Sequence, residues 1–200
     1  MKAWVFFMEK IEEKIVNSLI KNNIIDNEQK ELYMYCVGTV AEIGLFLIIV
    51  ITSGILVNQK IPMILFLLYF FLSRGNAGGF HAGSYGTCFV LSVSAYVLAL
   101  FIEASNYIQI PVMTGNLIFL MCSIGQYFLA PVDTPNKPIE DPKDIKKAKV
   151  VVALTALGFE FIYWIIWYLN IPGIKTIITC SIIVVLSQII GKISNMCSKK

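Results

Sequence analysis

"PMILFLLYFFLSRGNAGGFHAGSYGTCFVLSVSAYVLALFI", residues 62–102, is two apolar runs broken by one polar, glycine-rich stretch, residues 74–88. That break holds the chain's only arginine (Arg74), its only histidine (His81), five of its thirteen glycines and one of its five cysteines (Cys88). A run that is apolar all round has no face to turn toward water, so each run belongs in lipid or in a very large core. Composition decides between the two. Hydrophobic residues make up 57% and charged residues 14% of 200 residues, against roughly 45–50% and about 25% in soluble domains. Mean hydropathy is +0.74. The expected class is an all-α polytopic membrane protein forming a single domain over residues 1–200. A net charge of +3 is too small and too dispersed along the chain to suggest nucleic acid, and no nucleic-acid partner is expected.

Six apolar segments follow outward from the quoted pair, at about 37–57, 61–73, 87–104, 107–130, 150–170 and 174–191. The second is thirteen residues, a helix of about 20 Å that falls short of a hydrocarbon core of roughly 30 Å. Short spans on both sides imply that residues 74–88 dip into the bilayer boundary, where irregular backbone needs protein or a wet cavity around it. Fourteen of the sixteen Lys and Arg residues fall before span one, between spans two and three, between spans four and five, and after span six. The alternate connections hold only Lys60 and Lys175. The positive-inside rule then puts both termini and residues 74–88 in the cytoplasm of a multi-pass protein. The apolar WVFFM near the N-terminus is too short for a secretory signal.

Residues 1–30 carry Trp4, Phe7, Met8, Ile11, Ile15 and Leu19 at helical steps with charges between them. They read either as an amphipathic helix lying on the inner leaflet or as one packed on the bundle. Residues 131–149 form the second expected cytoplasmic loop, with lysines at 137, 143, 146, 147 and 149. Glu160 lies near the middle of span five, where an ionisable group is expensive and a functional candidate.

A thiol becomes a nucleophile once deprotonated, and imidazole is the usual partner near neutral pH. With one histidine in the chain, a Cys–His pair must use His81, and Cys88 is the only cysteine near it in sequence. A continuous helix would separate the two by about 10 Å along its axis, so the pair requires a turn, which Gly83 and Gly86 permit. A helix-packing loop is the blander reading. Asp133 is open between a third member that orients His81 and a solvated carboxylate; Arg74 is open between an oxyanion or substrate contact and a snorkelling helix-end cation. One histidine and scattered cysteines do not supply the ligands of a metal site, and no cofactor is expected.

Arg74, Gly79, His81 and Cys88, spaced R-x(4)-G-x-H-x(6)-C between hydrophobic spans, resemble the signature of the accessory gene regulator protein B family. "LAPVDTPNKPI", residues 129–139, resembles that family's Ala-Pro…Asn-Lys-Pro segment. The family comprises membrane cysteine endopeptidases of bacterial quorum sensing, so the resemblance implies a bacterial cell membrane and an active site at its cytoplasmic side. It implies His81 as general base and Cys88 as nucleophile, with Arg74, Gly79, Asp133 and Lys137 in support or on the substrate. The implied partner is a precursor peptide of the accessory gene regulator D type, whose acidic tail the lysine-rich 137–149 loop would receive. Membrane lipids are the other partner, and a homodimer stays open. The rival reading is a transporter or channel with a re-entrant glycine-rich loop and no protease activity, its ion path marked by Glu42 and Glu160. A non-catalytic membrane scaffold is the third.

Overall fold

The computed structural model describes residues 2–22, 24–80, 85–132 and 141–198. Among them are seven α-helices: α1 (Lys2–Lys21), α2 (Lys30–Leu56), α3 (Lys60–Ala77), α4 (Tyr85–Ala104), α5 (Val112–Leu129), α6 (Pro142–Tyr168) and α7 (Ile174–Ser198). A single 3₁₀ turn, Asn27–Gln29, leads into α2. Helix ends follow from local chemistry. Pro142 opens α6 behind Asp141, whose carboxylate accepts the Lys143 amide at 2.8 Å, which meets one of the orphan donors of a first turn. Asn58 and Asn170 take positive φ (55° and 52°) just past α2 and α6. The Gln59 and Ile171 amides there return to the Gly54 and Ile166 carbonyls. Both are left-handed helix stops that turn the chain directly into the next helix.

The six expected spans correspond to α2 through α7, and five of these helices are long and apolar enough to cross a membrane. The sixth, α3, has 18 residues and is about 27 Å long. It gains length over the expected thirteen residues by running on through Arg74 and Asn76. Two expected loops shrink for the same reason, that helices continue into polar sequence. Residues 74–77 and 85–88 of the expected 74–88 loop are helical. So are residues 142–149 of the expected 131–149 loop, where lysines 143, 146, 147 and 149 lie on the first two turns of α6.

The chain divides into two compact units, residues 1–53 with 82–94, and residues 54–81 with 95–200. In the first, α1 packs on α2: a Cβ on Gly38 would lie 2.7 Å from a Glu12 carboxylate oxygen. Val16, absent from the apolar stripe expected of α1, is fully buried. In the second, α3, α5, α6 and α7 pack on one another around Tyr69, Phe119, Phe159 and Tyr163. Tyr69 meets Phe159 edge-on at 4.8 Å and Phe119 at 6.1 Å.

Solvation is inverted relative to a soluble bundle. Leu117, Met121, Ile124 and Phe128 of α5 and Leu154, Leu157 and Phe161 of α6 are exposed, while Gln126, Thr176, Ser181 and Gln188 are buried. Apolar side chains outside and hydrogen-bonded polar ones inside match a lipid surround, where an unpaired polar group has no water to turn to. The molecule is an all-α polytopic membrane protein.

Candidate functional site

The last turn of α3 delivers the chain into the glycine-rich stretch. Arg74 is half-buried on that turn; its Nη2 donates to the Phe80 carbonyl at 3.0 Å, and its guanidinium lies 5.4 Å from the centre of the Phe70 ring. Gly78 ends the helix at φ 71°, a left-handed conformation that glycine enters without steric cost. It also makes a parallel bridge with Val132. The Val132 amide donates to the Ala77 carbonyl at 3.0 Å. A Cβ on Gly78 would lie 2.5 Å from the Val132 carbonyl oxygen, so only glycine admits this approach.

Helix α7 holds the other side of the same stretch. The Phe80 amide donates to the Ser187 carbonyl at 2.9 Å and reaches the Ser187 hydroxyl at 3.2 Å. Gln188 Nε2 donates to the Ala77 carbonyl at 3.2 Å and to the Gln126 carbonyl at 3.3 Å. Gln126 Nε2 in turn donates to the Tyr69 hydroxyl at 2.9 Å and the Ser181 carbonyl at 3.2 Å. Gln126 and Gln188 are 2% and 0% exposed, so these are interior bonds that tie α3, α5 and α7 together beneath the stretch. Two atoms of the layer, Gln188 Oε1 and Ser123 Oγ, are buried without a hydrogen-bond partner.

Two sequence segments singled out separately, 74–88 and 129–139, therefore meet. The chain entering His81 and the chain entering Asp133 run side by side at Gly78 and Val132. His81, Asp133 and Lys137 themselves lie outside the described residues. Of the other expected site residues, Arg74 and Gly79 belong to the braced stretch, with Gly79 buried against Ser187. Cys88 lies on the first turn of α4, half-buried and in no disulfide. Gly86, expected to help turn the chain, is already inside α4; the left-handed glycines of the stretch are Gly78 and Gly79 among the described residues. No three of His, Cys, Asp and Glu gather as metal ligands among the described residues.

Sequence reasoning named Glu160 without a partner. Its Oε1 accepts from Asn116 Nδ2 at 2.7 Å and from Trp164 Nε1 at 2.8 Å, while Oε2 is buried and unbonded. It passed over Glu103 altogether. That carboxylate, at the end of α4, accepts from the Gly173 and Thr176 amides (both 2.8 Å) and the Thr176 hydroxyl (3.0 Å), capping α7. Lys175 completes the join, donating to the Ser105 carbonyl at 2.7 Å. Ser187, Gln188 and Gln126 also went unnamed. The available signal was that a polar side chain within an apolar span has to face protein.

The family model for accessory gene regulator B matches residues 12–191. An AgrB-like protein of Clostridium perfringens strain SM101 is 29% identical over 166 residues, 79% of this chain and 78% of that one. AgrB-like protein 2 of Clostridium perfringens strain 13 is 26% identical over 80% of this chain and 79% of its own length. An AgrB-like protein of Lactiplantibacillus plantarum is 24% identical over 90% and 88% of the two chains. No solved structure matches. With the model spanning both braced segments, α2 through α6 and α7 as far as Gly191, the chain belongs to the accessory gene regulator B family.

Proposed function

We propose that this protein is a membrane cysteine endopeptidase that removes the C-terminal tail of a quorum-sensing peptide precursor and closes the remaining signal into a thiolactone. Family membership gives the chain a part in the accessory gene regulator quorum-sensing system and its peptide precursor. The observation that supports a site here is the pairing of Ala77 and Gly78 with Val132. It braces the backbone one residue before Asp133 and three before His81 by a network that a mere connecting loop does not need.

His81 takes the proton of the Cys88 thiol, and the sulfur attacks the carbonyl that joins signal to tail. The C–N bond breaks, and the tail's new amine leaves with the proton held by His81. Leader and signal remain as a thioester on Cys88. The precursor's own cysteine, deprotonated by His81, attacks that thioester; a thiolactone forms and the Cys88 sulfur leaves and regains a proton. The second step exchanges one thioester for another and is nearly neutral, so departure of the tail drives the sequence. Excluding water from the acyl-enzyme favours ring closure over hydrolysis. Arg74, bonded to the Phe80 carbonyl, braces the stretch that carries His81. Asp133 and Lys137 support the site or contact the precursor. The lysine distribution puts this chemistry on the cytoplasmic side.

The test is purified protein in liposomes, given its cognate precursor. Cys88→Ala and His81→Ala are each expected to abolish cleavage, while Ala at Cys36, Cys122, Cys180 or Cys197 should be tolerated. Mass spectrometry should find the acyl adduct on a peptide containing Cys88. An adduct on a different cysteine, or full activity without Cys88, overturns the assignment.

A further inference from the structure

Helix α7 carries no residue that the family-type motifs single out, yet the glycine-rich stretch is docked on it by main-chain contacts. Two features make that possible. Gly191 has no side chain: a Cβ there would lie 2.9 Å from both the Gly79 carbonyl carbon and the Phe80 nitrogen. Both are backbone atoms, which cannot swing aside as a side-chain tip can. One turn earlier, Ser187 receives the Phe80 amide on both its carbonyl (2.9 Å) and its hydroxyl (3.2 Å). The carbonyl of a residue in mid-helix normally serves the amide four positions on, here Gly191, so the stretch shares a bond that α7 would otherwise keep to itself. Gln188, next along, anchors the Ala77 carbonyl from beneath.

The contact lies well inside α7. Gly191 is seven residues from the helix end at Ser198, which is about 10 Å of helix. The stretch is thus held along the helix flank and not at its end. Phe80 is the residue before His81, so the bond to Ser187 sets where the chain leaves for the imidazole.

From this we infer that Ser187, Gln188 and Gly191 of α7 are positioning residues for His81. The inference rests on the Cys–His reading above. Among the described residues the three meet the backbone of residues 77–80, from which the chain runs on to the base. Loss of one neutral hydrogen bond of this kind corresponds to about a fivefold effect, whereas a Cβ at 191 must shift the main chain, and small misplacements of a catalytic group can cost on the order of a hundredfold.

The test follows the pH dependence of iodoacetamide alkylation at Cys88, read by mass spectrometry on the full chain in liposomes, beside steady-state cleavage of the precursor. His81→Ala serves as the reference. Gly191→Ala is expected to move the alkylation profile toward that of His81→Ala and to lower kcat with KM nearly unchanged. Ser187→Ala, which removes a hydroxyl and adds nothing, is expected to do the same by about fivefold and keeps the test valid where Gly191→Ala does not insert. Gln188→Met, close in size but without the amide, should match Ser187→Ala. If His81→Ala shifts the profile and the α7 variants leave both profile and kcat alone, the positioning role is wrong and the dyad stands. If the α7 variants lower only the yield of folded protein, the contact is structural and the proposal fails. If His81→Ala itself leaves the profile of Cys88 unchanged, the Cys–His reading fails and the positioning role with it.

Discussion

The amide of Val132 donates to the carbonyl of Ala77 at 3.0 Å, joining residues that stand fifty-five positions apart in the chain. The bond lies at the C-terminal ends of α3 and α5, where each leads into a segment with the polar groups of the proposed chemistry. A bond of this kind makes the approach sensitive to a single added carbon.

Gly78→Ala places a methyl 2.5 Å from the Val132 carbonyl oxygen at a residue whose φ is 71°. Strain at such a position costs about 1–3 kcal/mol. The variant should cleave precursor at least tenfold more slowly and melt at lower temperature in detergent. Gly75→Ala is the control, since nothing lies within 4 Å of its Cβ direction. It should be neutral or slightly stabilising, because alanine is the better helix former. Equal behaviour of the two variants would remove the case for the Gly78–Val132 approach.

Glu103→Gln keeps the size of the α7 cap and removes its charge. Bonds to charged acceptors contribute about 1.5–3 kcal/mol each when fully effective, and the carboxylate accepts three. A lower thermal midpoint is expected, with cleavage per folded molecule unchanged. Thr176→Val in the same background should add less than it does alone, since both act on one cap. Strict additivity would show that the Thr176 hydroxyl and Glu103 act independently.

Cysteines introduced at Asn58 or Asn106, in a background without native cysteines, should react with an impermeant thiol reagent added outside intact cells. Cysteines at Lys143 or Met196 should react only after permeabilisation. This follows from fourteen basic residues on one side of a six-span path and two on the other. External labelling at position 143 would invert that path.

Lys143, Lys146 and Lys147 are exposed on the first turns of α6, and Lys149 lies 5.6 Å from the centre of the Tyr127 ring. Exposed lysine–carboxylate contacts contribute about 0–1 kcal/mol each, so single Lys→Ala changes should be almost silent. Neutralising all four should raise the KM for an acidic-tailed precursor severalfold, and added salt should do the same to the unaltered protein. A KM indifferent to both would leave these lysines a topological role alone.

The fold was largely legible because its signal is additive along the chain. Five of the six apolar runs within residues 37–191 declare a helix in lipid by length and composition, and the thirteen-residue second run does so only by its place among them. The helix ends were less legible. Arg74 and Ala77 at the end of α3, and the lysines and Ala148 at the start of α6, are good helix formers that hydropathy reads as loop, so α3 and α6 ran further than their apolar parts. The α1 stripe missed Val16 because burial depends on which face α2 covers, not on where apolar residues recur.

By itself the sequence determined an all-helical membrane chain, with its histidine, its arginine and Cys88 in one short interruption of the apolar pattern. The physical reason is that hydrophobic burial in lipid is local and sums over neighbours in the chain. Only the tertiary structure decided that residues 77–80 lie along α7 and against Val132, that Gly191 and Gly78 are the points of close approach, and that Glu103 caps a helix seventy residues away. Those facts rest on pairwise backbone distances between remote segments. No periodicity records them, because a hydrogen bond of 3 Å is satisfied by where two chains meet and not by what either contains.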